Sequence, residues 1–367
     1  MKNEIFKYFM ASHTPEGFFS VYDNIYSPNE HWHCYILKGG PGTGKSTLMK
    51  KIAETSKNKN IPCEIAYCSS DPDSIDAVRF PTLKKCVVDG TPPHVMEPKF
   101  PGICENIVNL GTCWNEKKLE KYRDELINLY YKNSEYHKKA STYLNAYRYI
   151  ESYNTNIIKT AINYNKLEKF CTRLLKKLFN KKIISSKSSN FNCMINAITP
   201  KGYTTFAGES IIESIHDVFE INDNFCEEIS NIILTKIQKY SLSKGYSVIT
   251  SVSPLAPKSR IDAIILPEMN TALYTKNLYM NIKSATKNTN LQKINAKRFI
   301  DLEIIRKNKN IFKFNQKICK EFLNESTKNL KLALKTHNEI EKIYINSMNY
   351  SKTRKIANNL ISAIFNY

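Results

Sequence analysis

A short run near residue 40 carries glycines, a lysine and a serine at a spacing that suits phosphate binding. Gly39, Gly44, Lys45 and Ser46 match the pattern G-x-x-x-x-G-K-[ST]. Glycines let backbone N–H groups approach phosphate oxygens closely, and a helix that begins at the same place adds a positive partial charge. A lysine at this spacing reaches the outer phosphates, and the serine hydroxyl ligates Mg²⁺. The run therefore predicts a phosphate-binding P-loop.

A strand is predicted before this loop and a helix after it, which is the order of elements in a P-loop. Apolar residues predict a strand over 33–37, and apolar residues at helical spacing predict a helix from 46 to about 57. The predicted nucleotide-binding residues between and within them are Gly39, Gly40, Pro41, Gly42, Thr43, Gly44, Lys45, Ser46 and Thr47. Lys45 is also a predicted catalytic residue, and the expected cofactors are ATP and Mg²⁺. ATP is preferred to GTP because no Asn/Thr-Lys-x-Asp motif occurs in a suitable place.

An acidic residue ends a second apolar strand downstream. The run from Lys85 to Val88 leads into Asp89 and Gly90, as in a Walker B element. Asp89 would then hold Mg²⁺ opposite Ser46, which makes it the second metal ligand and the second predicted catalytic residue. The alternative is an ordinary Asp-Gly turn. No acidic residue follows Asp89 directly, which favours kinase-like chemistry or slow hydrolysis over a strong motor ATPase.

Three more polar side chains near these motifs each have two interpretations. His94 either faces the γ-phosphate or stabilises its own loop. Asp71 and Asp73 either position a water molecule or an acceptor hydroxyl, or they form a turn. The sequence leaves these alternatives open.

Composition restricts the classes of partner. The chain of 367 residues has 54 Lys and Arg against 34 Asp and Glu, a net charge of +20, which would suit nucleic acid or an acidic membrane. Only eight of the 54 are arginines, and the lysines are spread along polar helix faces, so nucleic-acid binding is possible but not favoured. Ten cysteines form no C-x-x-C pair, which fits a reducing compartment. Without a signal core in residues 1–10 or a membrane-length apolar run, we expect a cytoplasmic protein with no membrane association.

The second half of the chain repeats the first. Thr199-Pro200-Lys201-Gly202 matches Thr14-Pro15-Glu16-Gly17 at an offset of 199 − 14 = 185. Ile261-Asp262-Ala263 matches Ile75-Asp76-Ala77 at an offset of 261 − 75 = 186. Matches at nearly the same offset in several elements indicate a duplication.

The phosphate-binding residues are lost in the second copy. At these offsets Gly39, Gly44, Lys45, Ser46 and Asp89 are replaced by Asn224, Ile229, Ser230, Asn231 and Thr275. Glu227 and Glu228 fall in the loop itself, where their charges would repel phosphate. The second copy is therefore expected to bind no nucleotide in the usual way.

These patterns divide the chain into four segments. They are an active P-loop NTPase domain (1–112), a helical insert and linker (113–192), a degenerate P-loop-like domain (193–284) and a C-terminal helical segment (285–367). The expected fold class is α/β, with duplicated P-loop NTPase domains in which a parallel sheet is flanked by helices. Each domain is expected to be followed by a long helical hairpin.

The chain resembles a family of uncharacterised bacterial ATP-binding proteins built from tandem P-loop domains. Its members carry GGPGTGKST and V-D-G-T-x-P-H, which stand here at Gly39–Thr47 and Val88–His94. The resemblance spans nearly the whole length. It implies an ATPase, sometimes described as a nucleotide kinase, and supplies no substrate. Some relatives keep a P-loop in the second half, and this chain departs from them there.

The leading functional hypothesis is an ATP-binding P-loop NTPase that hydrolyses ATP with Mg²⁺ at one site. The first alternative is a phosphotransferase acting on a nucleotide or a small hydroxylated acceptor. The second is a non-catalytic nucleotide-sensing adaptor whose helical hairpins bind a protein partner. Acceptor-dependent ADP release would indicate the kinase, and tight ATP binding with negligible turnover would indicate the adaptor.

Overall fold

The structure is a computed structural model that describes residues 6–179, 188–280, 282 and 289–365. We call residues 6–179 the first half and residues 188–365 the second half. The first half contains β1 (Phe6–Phe9), β2 (Ala11–Thr14), β3 (Gly17–Ser20), β4 (His33–Lys38), α1 (Lys45–Asn58), β5 (Glu64–Tyr67), β6 (Ile75–Phe80), β7 (Lys85–Asp89), β8 (Glu105–Asn109), α2 (Glu116–Glu120), α3 (Arg123–Ala161) and α4 (Tyr164–Leu178). Residues 180–187 of the expected linker lie outside the described residues.

The second half has the same sequence of elements. It contains β9 (Asn190–Cys193), β10 (Asn196–Thr199), β11 (Gly202–Thr205), β12 (Asp217–Asn222), α5 (Glu228–Ser243), β13 (Val248–Val252), β14 (Ile261–Leu266), β15 (Thr271–Lys276), β16 (Asn290–Asn295), α6 (Leu302–Lys307), α7 (Lys309–Asn346) and α8 (Tyr350–Phe365). Strand β16 lies in the segment 285–367, which the sequence analysis took to be helical. That expectation is corrected, because the strand completes the second sheet beside β12.

Each half is built on a six-stranded sheet, and the two sheets have the same topology. The first has the order β1-β5-β6-β7-β4-β8, and the second, read in the matching direction, has the order β9-β13-β14-β15-β12-β16. The sheets are mixed rather than purely parallel, because β6 and β14 run antiparallel to both of their neighbours. Only short turns join these strands to the next ones, and a parallel connection would need a crossover of about a dozen residues or more.

The local sequence explains the elements that carry the P-loop. In β4, Cys34 and Ile36 point to one buried side and Leu37 is fully buried, as expected for a central strand covered on both faces. In α1, Met49 and Ile52 lie on the buried face one turn apart. The strand and helix predicted on either side of the loop are therefore confirmed.

The two halves are related by an approximate two-fold axis. Phe9 and Met194, which are 185 residues apart, exchange backbone hydrogen bonds of 2.7 and 2.9 Å with each other. Trp114 pairs with Met348 and Ile162 pairs with Ile300. Since 114 + 186 = 300 and 162 + 186 = 348, the second pair is the symmetry mate of the first. Equivalent segments thus contact one another reciprocally, as in a two-fold dimer.

The long helices do not form the expected hairpins within each half. Helix α3 instead packs along α7 of the other half. The pair is antiparallel, since the Tyr130 hydroxyl meets that of Tyr344 while the Asn315 amide donates to Asn154 Oδ1 at 2.7 Å. The correction has a simple physical reason: α3 has 39 residues, so it is long enough to carry the chain across to the other half.

As a result, the last helix of each half covers the sheet of the other. Helix α8 buries Leu360 and Ile364 against the first sheet and α1, in one core with Leu37 and Met49. The matching helix α4 lies in the core of the second sheet. The two halves therefore exchange helices. Among the helices of the described residues, none combines the length and the apolar composition needed to cross a bilayer.

The exchange predicts that a core substitution in α8 destabilises the half that carries the P-loop. Leu360 is 4% exposed, so Leu360→Ala should cost about 2–5 kcal/mol of unfolding free energy. The neighbouring Asn359→Ala, on the exposed side of α8, is the matched control and should cost less than about 0.5 kcal/mol. Urea unfolding of the full chain measures both, and equal stability of the two variants would contradict the placement of α8.

Candidate functional site

The predicted P-loop follows β4 and wraps the N-terminus of α1. Gly42 and Gly44 adopt positive φ angles of 69° and 84°, a conformation that glycine takes without strain. The Thr43 hydroxyl is buried and donates to the Gly40 carbonyl at 2.9 Å, which closes the turn. Pro41 is half-buried, and Thr47 is exposed at the start of α1.

The loop presents unused backbone donors. Helix α1 has no side-chain cap at its N-terminus. Among the described residues, the amide N–H groups of Gly42, Thr43, Gly44 and Lys45 donate to no other protein group. A helix N-terminus with several free amides in a glycine loop favours a bound anion. The geometry of this loop therefore suits the phosphates of a nucleotide.

Lys45 lies between the loop and Asp89. Its ammonium donates to the carbonyls of Gly39 at 2.6 Å and Gly40 at 2.9 Å, and it is 3.6 Å from Asp89 Oδ2. The ammonium is largely buried, so these oxygens take the place of water around it. The structure thus brings together the two predicted catalytic residues, which are 44 positions apart in the chain.

Asp89 reaches the loop because β7 is the parallel neighbour of β4, with Leu37 directly opposite Asp89. Asp89 Oδ1 accepts hydrogen bonds from the Thr91 N–H and hydroxyl at 3.0 and 2.5 Å. Burial raises the pKa of Asp89, and the positive charges of Lys45 and His94 offset part of that rise. The other oxygen of this carboxylate faces Lys45 and the loop.

The second predicted metal ligand, Ser46, lies in the first turn of α1. Its hydroxyl oxygen accepts a hydrogen bond of 3.0 Å from the Ile75 N–H, which fixes its position beside the first residue of β6. In the described part of the chain, no group of three or more His, Cys, Asp or Glu side chains could hold a metal ion. A site of Ser46 and Asp89 suits Mg²⁺, which usually keeps several waters and binds substrate phosphates.

His94 is held by a carboxylate that the sequence analysis did not single out. Its Nε2 is 3.3 Å from Asp76 Oδ2, its Nδ1 is 3.1 Å from the Asp89 carbonyl, and its ring stacks on Tyr22. Burial lowers the pKa of His94, but the charge and hydrogen bond of Asp76, together with the Asp89 charge, outweigh it and raise that pKa to about 9. Of the two interpretations, His94 therefore stabilises the loop after β7.

The ion pair between His94 and Asp76 predicts a specific pH dependence of stability. A folded-state pKa near 9, above the usual 6.5, adds stability that is complete below pH 6.5 and lost as the pH rises through 9. The free-energy gap between wild type and His94→Gln should therefore shrink by about 3 kcal/mol from pH 6 to 10. Urea unfolding across this range measures the gap, with the exposed Asn359→Ala, which removes no titratable group, as the control for which it should stay flat. A constant gap for His94→Gln would contradict the ion pair.

Three further histidines from distant parts of the chain lie near one another, and one of them, His337, lies near Lys45 of the loop. His13 stacks on His137 of α3 with ring centroids 5.0 Å apart, and its Nε2 is 3.2 Å from the Ser70 hydroxyl. Burial lowers the pKa of His13 to about 3 and that of His137 to about 4. Burial also lowers the pKa of His337 on α7, which faces the charges of Glu341, Asp71, Lys45 and Asp89. No motif marks these residues, so only the fold reveals that they are neighbours.

The acidic turn after β5 has a structural explanation. Asp71 Oδ2 accepts from the Ser74 hydroxyl at 2.5 Å, and Asp71 Oδ1 accepts from the Asp73 N–H at 3.3 Å. Asp73 is exposed and pairs with Lys201 of the second half at 2.8 Å. The turn interpretation accounts for both residues, although Asp71 also lies within electrostatic reach of His337.

Helix α7 of the second half packs against the P-loop. A Cβ atom on Gly42 would lie 2.8 Å from the Glu341 carbonyl oxygen and 3.0 Å from the Ile345 nitrogen. There is no space for such an atom, so glycine is required here for contact with a helix as well as for its φ angle. The candidate site is thus composed of elements from both halves.

The second copy keeps the frame of this site. Asn231 Oδ1 accepts from the Ile261 N–H at 3.0 Å, as Ser46 accepts from Ile75 in the first half. The equivalence of Ser46 with Asn231, and hence of Lys45 with Ser230, agrees with this contact. Strands β4 and β12 match at a different offset. Leu37 lies opposite Asp89, and Ile221 lies opposite the matching residue Thr275, so β12 follows β4 by 221 − 37 = 184 residues. Asp223, rather than Asn224, therefore corresponds to Gly39.

A carboxylate occupies the helix terminus in the second copy. Asp223 accepts from the Ser230 N–H at 2.8 Å and from the Phe225 N–H at 2.9 Å. Its negative charge lies where the first half presents free amides. Glu227 is buried and 3.3 Å from Arg260, which also binds Glu151 of α3 at 2.9 Å. Glu227 thus takes part in an internal ion pair rather than pointing into an open loop.

Comparisons with protein-family models, with curated proteins and with solved structures find no match to this chain. The resemblance to tandem P-loop proteins therefore depends on the two sequence motifs alone.

Proposed function

We propose that this chain is an ATP-binding P-loop NTPase that hydrolyses ATP with Mg²⁺ at a single site in its first half. One observation carries the proposal: the Lys45 ammonium lies 3.6 Å from Asp89, beside a loop whose amides at residues 42–45 have no partner in the part of the chain that the structure describes. An uncapped helix terminus, a lysine ammonium and a strand-end acid are parts that phosphate binding and phosphoryl transfer use. The ten free cysteines suit a reducing compartment, so we place the activity in the cytoplasm.

Each residue of the site has a defined task in this proposal. The amides of Gly42 to Lys45 bind phosphate oxygens, and Lys45 exchanges its contacts with the Gly39 and Gly40 carbonyls for contacts with the outer phosphates. Ser46 and Asp89 hold Mg²⁺, which neutralises charge on the phosphates when bound. Gly90 follows Asp89, so Asp89 has no acidic neighbour to activate water, and slow turnover is expected.

A nucleotide-sensing adaptor is the second candidate, and one contact favours it. The backbone of α7 is packed on Gly42 with no spare space, so a change in loop conformation on nucleotide binding is transmitted to the paired helices α3 and α7. The exposed tyrosines on α3, such as Tyr131 and Tyr149, would then be available to a protein partner.

The test combines calorimetry with turnover on the intact chain. We expect about one ATP per chain, Mg²⁺-dependent ADP release without an acceptor, and no second site in Ser230→Lys, because Asp223 still fills the helix terminus. ADP release only with added nucleosides or nucleotides would indicate a kinase. Binding without turnover would indicate the adaptor, and two nucleotides per chain or none would overturn the proposal.

A further inference from the structure

The position of the predicted metal site sets the direction of a bound nucleotide. Asp89 ends β7, which lies on one side of β4, and β8 lies on the other side. In the proposed function Mg²⁺ binds the outer phosphates, so the outer end of the nucleotide points toward β7. The nucleoside end must therefore extend in the opposite direction, toward β8 and the loop that follows it.

The loop after β8 brings an indole ring against the P-loop. A Cβ atom on Gly40 would lie 3.2 Å from the ring of Trp114, and one on Gly111 would lie 3.3 Å from it. The ring centroid of Tyr344 from α7 is 5.5 Å away. Trp114 is thus fixed beside the phosphate loop by residues from both halves, and it remains half-exposed.

Trp114 also carries an unused donor. Its Nε1 is buried and has no hydrogen-bond partner among the described residues. A buried N–H without an acceptor costs free energy, and most such groups in folded proteins are paired. The ribose and phosphate oxygens of a nucleotide are acceptors of the kind that this donor lacks.

A depression of about 380 Å³ opens next to this ring. Its lining is polar apart from the indole and consists of Trp114, Asn115, Glu116, Lys117 and Asn349. The side-chain oxygens of Asn115 and Asn349 accept from the backbone N–H groups of Lys118 and Lys352, at 3.1 and 3.2 Å. These bonds turn the asparagine carbonyls toward the helix termini and leave their NH₂ groups as further donors. The volume is within the usual range of small-ligand pockets.

We propose that Trp114 and this depression receive the purine base of the nucleotide. The inference rests on the proposed function, since it takes the direction of the phosphates from Asp89. The base stacks on the indole, as bases commonly stack on aromatic side chains, and its ring nitrogens face the NH₂ groups of Asn115 and Asn349. Asn349 belongs to the second half, so both halves contribute to the base pocket as well as to the wall of the P-loop.

Tripolyphosphate separates this inference from the proposed function, because it has the phosphates of ATP and no base. With Trp114→Ala, ATP affinity should fall about tenfold while tripolyphosphate affinity stays within twofold of wild type, both measured by calorimetry. Tyr149→Ala, which removes an exposed aromatic ring from α3, is the control and should change neither affinity.

Fluorescence gives a second measurement in case Trp114→Ala does not fold. The chain has two tryptophans, so Trp32→Phe leaves Trp114 as the only one. ATP and ADP should change its emission, and tripolyphosphate should not. If Trp114→Ala lost affinity for ATP and for tripolyphosphate equally, or if the Trp114 emission did not respond to ATP, the base pocket would be overturned while the P-loop assignment stands. If wild type binds neither ATP nor tripolyphosphate, the proposed function fails and the base pocket fails with it.

Discussion

Lys45→Ala should lower the ATP affinity of the intact chain by about 100-fold or more and leave its fold in place. The Lys45 ammonium is the one group of the loop that carries a full positive charge, and it makes two hydrogen bonds to loop carbonyls that phosphate oxygens would replace. Each hydrogen bond to a charged group contributes about 1.5–3 kcal/mol, and 1.4 kcal/mol is a factor of ten in affinity. Isothermal titration calorimetry with ATP and Mg²⁺ measures the loss directly.

Lys50→Ala is the matched control for this experiment. Lys50 lies on the same helix, but its ammonium is exposed and donates to the Asp73 carbonyl at 2.7 Å. Its removal should leave ATP affinity within about twofold. A Lys45→Ala protein that binds ATP as tightly as wild type would place the nucleotide site elsewhere in the chain.

Asp89→Asn should reduce Mg²⁺-dependent turnover by about 100-fold or more while changing ATP affinity only a few-fold. The amide oxygen of asparagine preserves the hydrogen bonds from Thr91, so the turn after β7 should keep its shape. The negative charge that faces Lys45 and the metal position is lost. Removing one partner from an electrostatic site of this kind typically costs about 3–4 kcal/mol in the transition state.

The readout for Asp89→Asn is steady-state ADP release at saturating Mg²⁺, with ATP affinity measured on the same samples. Asp73→Asn is the control, because Asp73 is exposed and its charge pairs only with Lys201 among the described residues. Unchanged turnover in Asp89→Asn would exclude the Walker B role. A loss of affinity equal to the loss of turnover would mean that Asp89 acts in nucleotide binding rather than in the reaction.

Local sequence was enough to predict the elements that carry the phosphate site. The strand, glycine loop and helix over 33–58 are adjacent in the chain. Asp89 follows a short apolar run whose composition predicts a buried strand. The repeat at 185 and 186 residues also predicted the matching topology of the two sheets. Comparison of the two copies showed that the second copy lacks the glycines and the lysine of the loop.

The sequence could not show what covers each apolar face. Periodic residues such as Leu144 in α3 and Leu330 in α7 indicate a buried stripe, but a stripe does not identify its partner. The placement of α8 on the first sheet depends on contacts between residues about 300 positions apart, as between α1 and α8. For the same reason the sequence does not predict that His337 and Trp114 lie near the loop, or that His13 stacks on His137.

The exchange of helices has a consequence for the synthesis of this protein. The sheet that carries the P-loop is complete near residue 109, but the helix that covers it, α8, spans Tyr350–Phe365. Since domains usually begin to fold as they leave the ribosome, the first sheet has to wait through some 250 further residues of synthesis. A prematurely terminated chain would keep every residue of the P-loop and expose the apolar surface around Met49. Only translation products that include α8 would then acquire a stable nucleotide site, and shorter ones would present chaperones and proteases with an open core.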